Sequence, residues 1–258
     1  MGAEVQDIAD AFVEARRTGK AITQYPGPRP TDLASAYAIQ DAALSVWDRK
    51  VGGWKVGKIN PPADGQLGAN RLVGPAFTDG IFEEGDRAAC YTVFRGGFAA
   101  AEAEFMLRLA PRNGSLPANR EEAMEWVDEI RIGIEIASSP YANINADGPC
   151  VTVSDHGNNA GLLLGKRIPR EAWGTLDDVQ VSLEIEGEVA GRATTATMLD
   201  GPFGAVAFLL DNLARRNIAL EAGWWISSGA ITGVHAVEVG DEVVARFEGI
   251  GDVSLRVE

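Results

Sequence analysis

The first fifty positions repeat their apolar residues at helix spacing. Val5, Ile8, Ala9, Phe12 and Val13 form one stripe, and Thr18-Gly19 closes it. A proline-rich connector, Tyr25-Pro26-Gly27-Pro28-Arg29-Pro30, follows. Thr31 or Asp32 can then cap a second helix that carries Leu33, Tyr37, Ile39, Leu44 and Trp47. Beyond residue 51 the texture changes to alternating segments broken by glycine. Ala101 to Leu109 and Ile130 to Ala137 have strand character. Asn119 with Glu122 forms a capping box for a short helix, and Val179 to Arg192 predicts a hairpin turning near Gly187. Pro202 suits the first turn of a helix running to about Arg216, and Trp224 to Val257 reads as short strands punctuated by glycine. Strands dominate the second part without regular strand–helix alternation. The expected class is therefore α+β around a mixed, rolled or barrel-like sheet, with no Rossmann core. Residues 1–50 are expected to form an N-terminal helical cap region and 51–258 a β-rich domain, or the two to run on as one continuous domain.

Composition narrows the function. The 258 residues carry 23 basic and 37 acidic side chains, a formal net charge of -14. That balance makes the chain a poor candidate for nucleic-acid binding, which needs a clustered positive footprint, and for docking on anionic membranes. Cys90 and Cys150 are too few for a disulfide framework in so long a chain and are read as reduced thiols of a cytoplasmic protein. Glu4, Asp7 and Asp10 leave no basic leader segment, so no signal peptide is expected, and no apolar run is long enough to span a membrane. Two histidines and two cysteines leave little material for a zinc or non-haem iron site, so any metal is expected to be hard and oxygen-bound.

Four segments carry candidate chemistry. In Glu102-Ala103-Glu104 the two carboxylates project from one face of a strand whose other face is Ala101, Ala103, Phe105 and Leu107. Side by side they need either solvent or a cation. Glu135 sits among Ile130, Ile132, Ile134 and Ile136, where an unpaired charge is expensive. Arg131 can be its partner, or it can share a cation with Glu102 and Glu104, and three carboxylates plus water suit Mg²⁺ or Mn²⁺. Gly52 to Lys58 satisfies Gly-x4-Gly-Lys, but Ile59 replaces the Ser or Thr that a nucleotide loop needs. What remains is Lys55, either a desolvated acid/base or anion anchor or a solvated loop lysine. Val153 to Asn159 is a dense polar cluster after an apolar run read as a strand. Asp155-His156 can be half of a triad, yet the chain lacks a Gly-x-Ser-x-Gly elbow, and a turn rich in Asx caps is the preferred reading for His156.

In order, Trp54-Lys55-Val56-Gly57, Gln66-Leu67-Gly68, Phe77-Thr78-Asp79, Glu102-Ala103-Glu104, Glu135, Val153-Ser154-Asp155, Asp200-Gly201-Pro202, Ser228-Gly229 and Phe247 to Gly251 make the chain resemble the 2-keto-4-pentenoate hydratase / 4-oxalocrotonate decarboxylase family of the fumarylacetoacetate hydrolase superfamily. The resemblance runs from about residue 30 onward. It implies a sheet of the fumarylacetoacetate hydrolase C-terminal type, with 51–258 as the metal-binding catalytic part. It implies a divalent metal, Mg²⁺ or Mn²⁺, on Glu102, Glu104 and Glu135. Lys55 and Asp79 take the proton-transfer roles, and Asp155, Ser228 and Gly229 contact the substrate. The implied reaction is hydration of a small 2-oxoacid/dienoate, a 2-hydroxy-2,4-dienoate, to a 4-hydroxy-2-oxoacid, as in aromatic catabolism, by a cytoplasmic homo-oligomer. Three features depart from the pattern. Ala99-Ala100 stands where many members have Pro-Arg, Ser228 replaces Thr, and Ser138 to Gly148 lacks the usual Arg and Trp. The rival readings are decarboxylation of a 2-oxo-3-enedioate on the same site, carbon–carbon hydrolysis, and a non-catalytic partner subunit. The second is opposed by the absence of any histidine before His156, the third by the intact acidic and lysine set.

Overall fold

A computed structural model describes residues 2–85, 90–112 and 114–258. Helices α1 (Ala3–Thr18) and α2 (Leu33–Val46) precede β1 (Val51–Lys58), α3 (Ala63–Leu67), β2 (Arg71–Phe77), β3 (Ile81–Glu83) and β4 (Cys90–Tyr91). Then come β5 (Phe98–Leu109), α4 (Arg120–Met124), β6 (Val127–Ser139), α5 (Pro149–Ser154) and β7 (Asn159–Ile168). The chain ends with β8 (Gln180–Ile185), β9 (Glu188–Thr194), α6 (Gly201–Arg215), β10 (Trp225–Ser227), β11 (His235–Ala236), β12 (Glu242–Phe247) and β13 (Gly251–Val257).

The expected signals act where they were read. Asp32 caps α2 by accepting from the Ser35 amide, and Gly19 ends α1 in a left-handed conformation. Asn119 accepts from the Glu122 amide at α4, and the Glu122 carboxylate accepts in return from the Ala118 amide and from Asn119 Nδ2. Glu186 and Gly187 both hold positive φ, 52° and 80°, as a two-residue turn between β8 and β9 requires. One expectation fails. The apolar run before the polar cluster is not a strand but the short helix α5, opened by Pro149 after Gly148. A run this short has no readable period, and the proline at its first position decides it.

The sheet order is β2-β1-β10-β5-β6-β7-β3, with β11 also on β5, and β4-β13-β12-β8-β9 forms a second sheet. The larger sheet is mixed, with β1–β10 and β3–β7 parallel and the rest antiparallel. It curls into a half-barrel. Alternation gives its long strands two different faces. Ala103, Phe105, Ile132 and Ile134 join Val243, Ala245, Phe247 and Val253 of the second sheet in the main core, where Phe105 and Phe247 lie 5.5 Å apart. The opposite, concave face of β5 and β6 carries Glu102, Glu104 and Glu135. Helices α1 and α2 bury Ile8, Phe12, Val13 and Ile39 against Phe77, Tyr141, Ile144 and Val151, so the N-terminal helices share a core with β2 and α5. Cys150 is a buried free thiol, and the side chain of Cys90 lies outside the described residues.

Candidate active site

The register of β5 on β6 sets Glu102 directly opposite Glu135 and Glu104 opposite Gly133. Like charges in directly opposed positions destabilise a sheet. Here they are also buried: Glu102 is 4% exposed, and Glu104 and Glu135 are fully enclosed. The three carboxylates each bring an oxygen within 4.8 Å of the others. Of the two partners weighed for Glu135, Arg131 is engaged elsewhere, with Glu129 and Glu83.

The counter-charge comes from β1. Its alternation buries Trp54 and Val56 in the core and sends Lys55 to the concave face, where Nζ lies 3.2 Å from Glu135 Oε1 and 3.3 Å from Asn158 Oδ1. Burial alone would push this lysine down, but Glu135, Glu102 and Glu104 together outweigh it and raise its affinity for the proton. Desolvation, with repulsion from Glu135, pushes the Glu102 carboxyl up to about 7 against the pull of Lys55. Burial first, then the charges of Glu135 and Glu102, holds Glu104 well above the usual range.

Two of the carboxylates are further held from outside the pair of strands. Glu104 Oε2 accepts from the Gly229 amide at 2.7 Å and from Ser227 Oγ, whereas its Oε1 is buried with no hydrogen-bond partner among the described residues. Glu135 Oε1 accepts from Asn159 Nδ2 at 2.9 Å. An unsatisfied buried carboxylate oxygen is costly unless something else fills its place. Three converging carboxylates balanced by a single ammonium, with only oxygen donors, match a hard divalent cation, so these residues fit the metal that the resemblance implies.

A cavity of about 700 Å³ opens from this cluster and is lined by Lys55, Glu102, Asn158, Ser228 and Gly229, with Ile59, Leu72 and Met198 among its apolar walls. The structure thus brings together Lys55, Glu102, Glu104, Glu135, Ser228 and Gly229. It does not bring in Asp79, whose side chain is 64% exposed in the turn after β2 and is gripped by the Arg49 guanidinium outside the cavity. Asp155 is also absent from the cavity wall. It is buried behind the site, bound by Arg16 and accepting from Ser139 Oγ at 2.6 Å. His156 is enclosed by the rings of Trp47 and Phe77, and burial, then Arg16 and Arg49, depresses its affinity for a proton; it is no half of a triad. Sequence reasoning missed Ser227, Asn159 and the direct part of Asn158. Alternation along β10 was the available signal for Ser227, since it puts that hydroxyl on the face opposite the buried Ile226.

Residues 95–258 match the fumarylacetoacetate (FAA) hydrolase C-terminal family, and the chain belongs to that family. Among its relatives, the 2-keto-4-pentenoate hydratase of Paraburkholderia xenovorans (strain LB400) is 26% identical over 259 residues, covering 98% of this chain and 94% of that protein. The 4-oxalocrotonate decarboxylase of Pseudomonas putida is 33% identical over 130 residues, a match confined to 50% of this chain and 49% of that protein. The fold is shared with the 4-oxalocrotonate decarboxylase from Pseudomonas putida G7 solved with magnesium and adipate, at a TM-score of 0.81 and 24% identity over 98% of this chain and 97% of that one.

Proposed function

We propose that the protein is a metal-dependent hydratase that adds water to a 2-hydroxy-2,4-dienoate and yields a 4-hydroxy-2-oxoacid. The observation that carries this reading is the buried trio of Glu102, Glu104 and Glu135, with Lys55 against Glu135, where Lys55 and Glu102 line one cavity. The full-length likeness to a 2-keto-4-pentenoate hydratase supports it. Glu102, Glu104 and Glu135 would hold a Mg²⁺ or Mn²⁺ ion, which supplies Lewis-acid stabilisation of negative charge on the substrate's oxygens. The chain's own groups do the rest. Lys55, kept cationic by its neighbours, delivers a proton to the substrate's terminal carbon as the 2-hydroxyl releases its own to solvent, giving the conjugated 2-oxo-3-enoate. The amine then takes a proton from the water whose oxygen adds to the far alkene carbon, which restores the ammonium, and a proton from solvent on the carbon beside the carbonyl completes the product. Ser228 and Gly229 form the wall beside Glu104 and orient the substrate. Asp79, held by Arg49, is given no step, and Asp155 supports the site from behind.

Decarboxylation of a 2-oxo-3-enedioate is the second reading, favoured by the half-length match to the decarboxylase and by Lys58 and Arg71 in the cavity lining, which suit a second carboxylate. We propose a homo-oligomer, which light scattering tests. Among the described residues no helix is long and apolar enough to cross a membrane. The deciding assay follows the ultraviolet absorbance of 2-hydroxypenta-2,4-dienoate with and without Mg²⁺. Metal-dependent loss with product heavier by one water is expected. No turnover of the dienoate, with carbon dioxide released from a 2-oxo-3-enedioate, would replace hydration by decarboxylation.

A further inference from the structure

Asn158 lines the cavity, is almost fully buried, and has no part in the reaction as described so far. Its amide is oriented at both ends. An ammonium can only donate, so Asn158 presents Oδ1 to Lys55 at 3.3 Å. Its Nδ2 then donates to Asn145 Oδ1 at 2.9 Å. Thr152 Oγ1 lies 3.2 Å from that same oxygen and 3.0 Å from the Ile144 carbonyl, and its single hydroxyl proton serves one of these acceptors at a time.

The backbone that delivers this amide is unusual. His156, Gly157 and Asn158 are consecutive left-handed residues, with φ of 55°, 63° and 56°. Only glycine visits that region freely, with Asn the best tolerated of the rest, so an uninterrupted run of three is not a default turn. It exists because the turn lies directly on β2. A Cβ on Gly74 would come within 2.1 Å of the His156 carbonyl oxygen, and one on Gly157 would lie 3.1 Å from Lys55 Cδ. Gly74 is the residue paired with Lys55 across β1 and β2. Two glycines therefore let the turn approach until Asn158 meets the ammonium.

Among the described residues, the groups that would hold the ammonium without Asn158 are carboxylates, and they pull toward the cluster. We infer that Asn158 is a positioning residue that holds the Lys55 ammonium on the cavity side of the three carboxylates, using the Asn145–Thr152 clasp as its anchor. This rests on Lys55 serving proton transfer, as proposed above.

The test uses Asn158→Gly, which removes the side chain at a φ that glycine adopts freely. Protein labelled with ¹⁵N at lysine Nζ reports hydrogen exchange of the Lys55 ammonium directly. Exchange is expected to accelerate about tenfold or more in the variant, and kcat to fall about tenfold. KM and Mg²⁺ affinity should each stay within about threefold. Asn158→Asp keeps an acceptor at the same place and should keep the slow exchange. If Asn158→Gly does not fold, Asn145→Ala, which frees the amide without touching the left-handed turn, decides by the same readouts. Unchanged exchange, or a fall in Mg²⁺ affinity as large as the fall in kcat, would overturn the inference. Should the wild-type protein turn over no dienoate, the hydratase reading fails, and the exchange measurement still decides the position of Lys55.

Discussion

Lys55 separates two costs that are usually merged. It neutralises part of a carboxylate cluster that the register of β5 on β6 forces together, and it faces the cavity in which the proposed reaction moves a proton. Replacing it by methionine keeps most of its volume and removes the charge together with the bonds to Glu135 and Asn158. Breaking a buried ion pair from one side costs about 3–5 kcal/mol. Metal-free Lys55→Met is thus expected to melt well below the wild type, and Mg²⁺ to restore much of the difference, with turnover abolished; thermal melts with and without Mg²⁺ check this. The same residues set a pH dependence. The Glu102 carboxyl is raised from 4.5 to about 7 by burial and by Glu135. A raised folded value means that the folded state holds its proton more tightly than the unfolded chain. The resulting stability is fully present below the ordinary carboxylate value and is lost as pH rises through about 7. Glu104 shifts in the same direction for the same leading cause. The rise in melting temperature on adding Mg²⁺ is expected to be larger at about pH 8 than at about pH 6, because the cation then relieves ionised carboxylates and displaces fewer protons. An equal rise at both would mean that the cluster does not hold the metal.

At the scale of elements, the site depends on how close two pieces of backbone come. Gly74 in β2 is the floor on which the turn after α5 rests. Gly74→Ala would force its Cβ into the His156 carbonyl, where only backbone can give way. The expected result is a loss of about 1–3 kcal/mol of stability, as for other overpacked sites, with a disproportionate loss of kcat because the turn carries Asn158. Urea denaturation and steady-state kinetics measure the two separately. This contact also marks how far the sequence could be read. Caps, the hairpin turn and the two long strands were legible because each is written in neighbouring residues. The parity of Glu102 with Glu104, and of Lys55 against Trp54 and Val56, came from strand alternation alone. The opposition of Glu102 to Glu135 was not written locally, since register between distant strands is set by the packing of Phe105, Ile132 and Ile134 against the second sheet. Asp79 misled because a family position was carried over where no local pattern shows which way the side chain turns. In the structure the turn aims it at Arg49.

For the whole molecule, the family match begins at residue 95, yet the site is not complete within it. Lys55 and Gly74 come from the preceding strands, and α1 reaches the site through Arg16. That guanidinium, only 4% exposed, donates to Asp155 Oδ2 at 2.9 Å, to the Asn159 carbonyl at 3.1 Å and to the Ser138 carbonyl at 3.2 Å. Asn159 in turn holds Glu135. The first helix is therefore tied to the end of β6 and the start of β7, one residue removed from the carboxylate cluster. Two effects follow from Arg16→Met. Asp155 is left buried without its cation, a loss of about 3–5 kcal/mol. Asn159 loses the bond to its carbonyl, so Glu135 is less firmly oriented and Mg²⁺ affinity falls about tenfold, the range for groups that orient metal ligands from behind. Adding Asp155→Asn removes the stranded charge while leaving an acceptor for Ser139. The double variant should regain most of the stability, as read by urea denaturation. It should not regain the metal affinity, as read by calorimetry, because the link from Arg16 to Asn159 stays broken. Recovery of both would reduce Arg16 to a partner of Asp155 and disconnect the N-terminal helix from the carboxylate cluster.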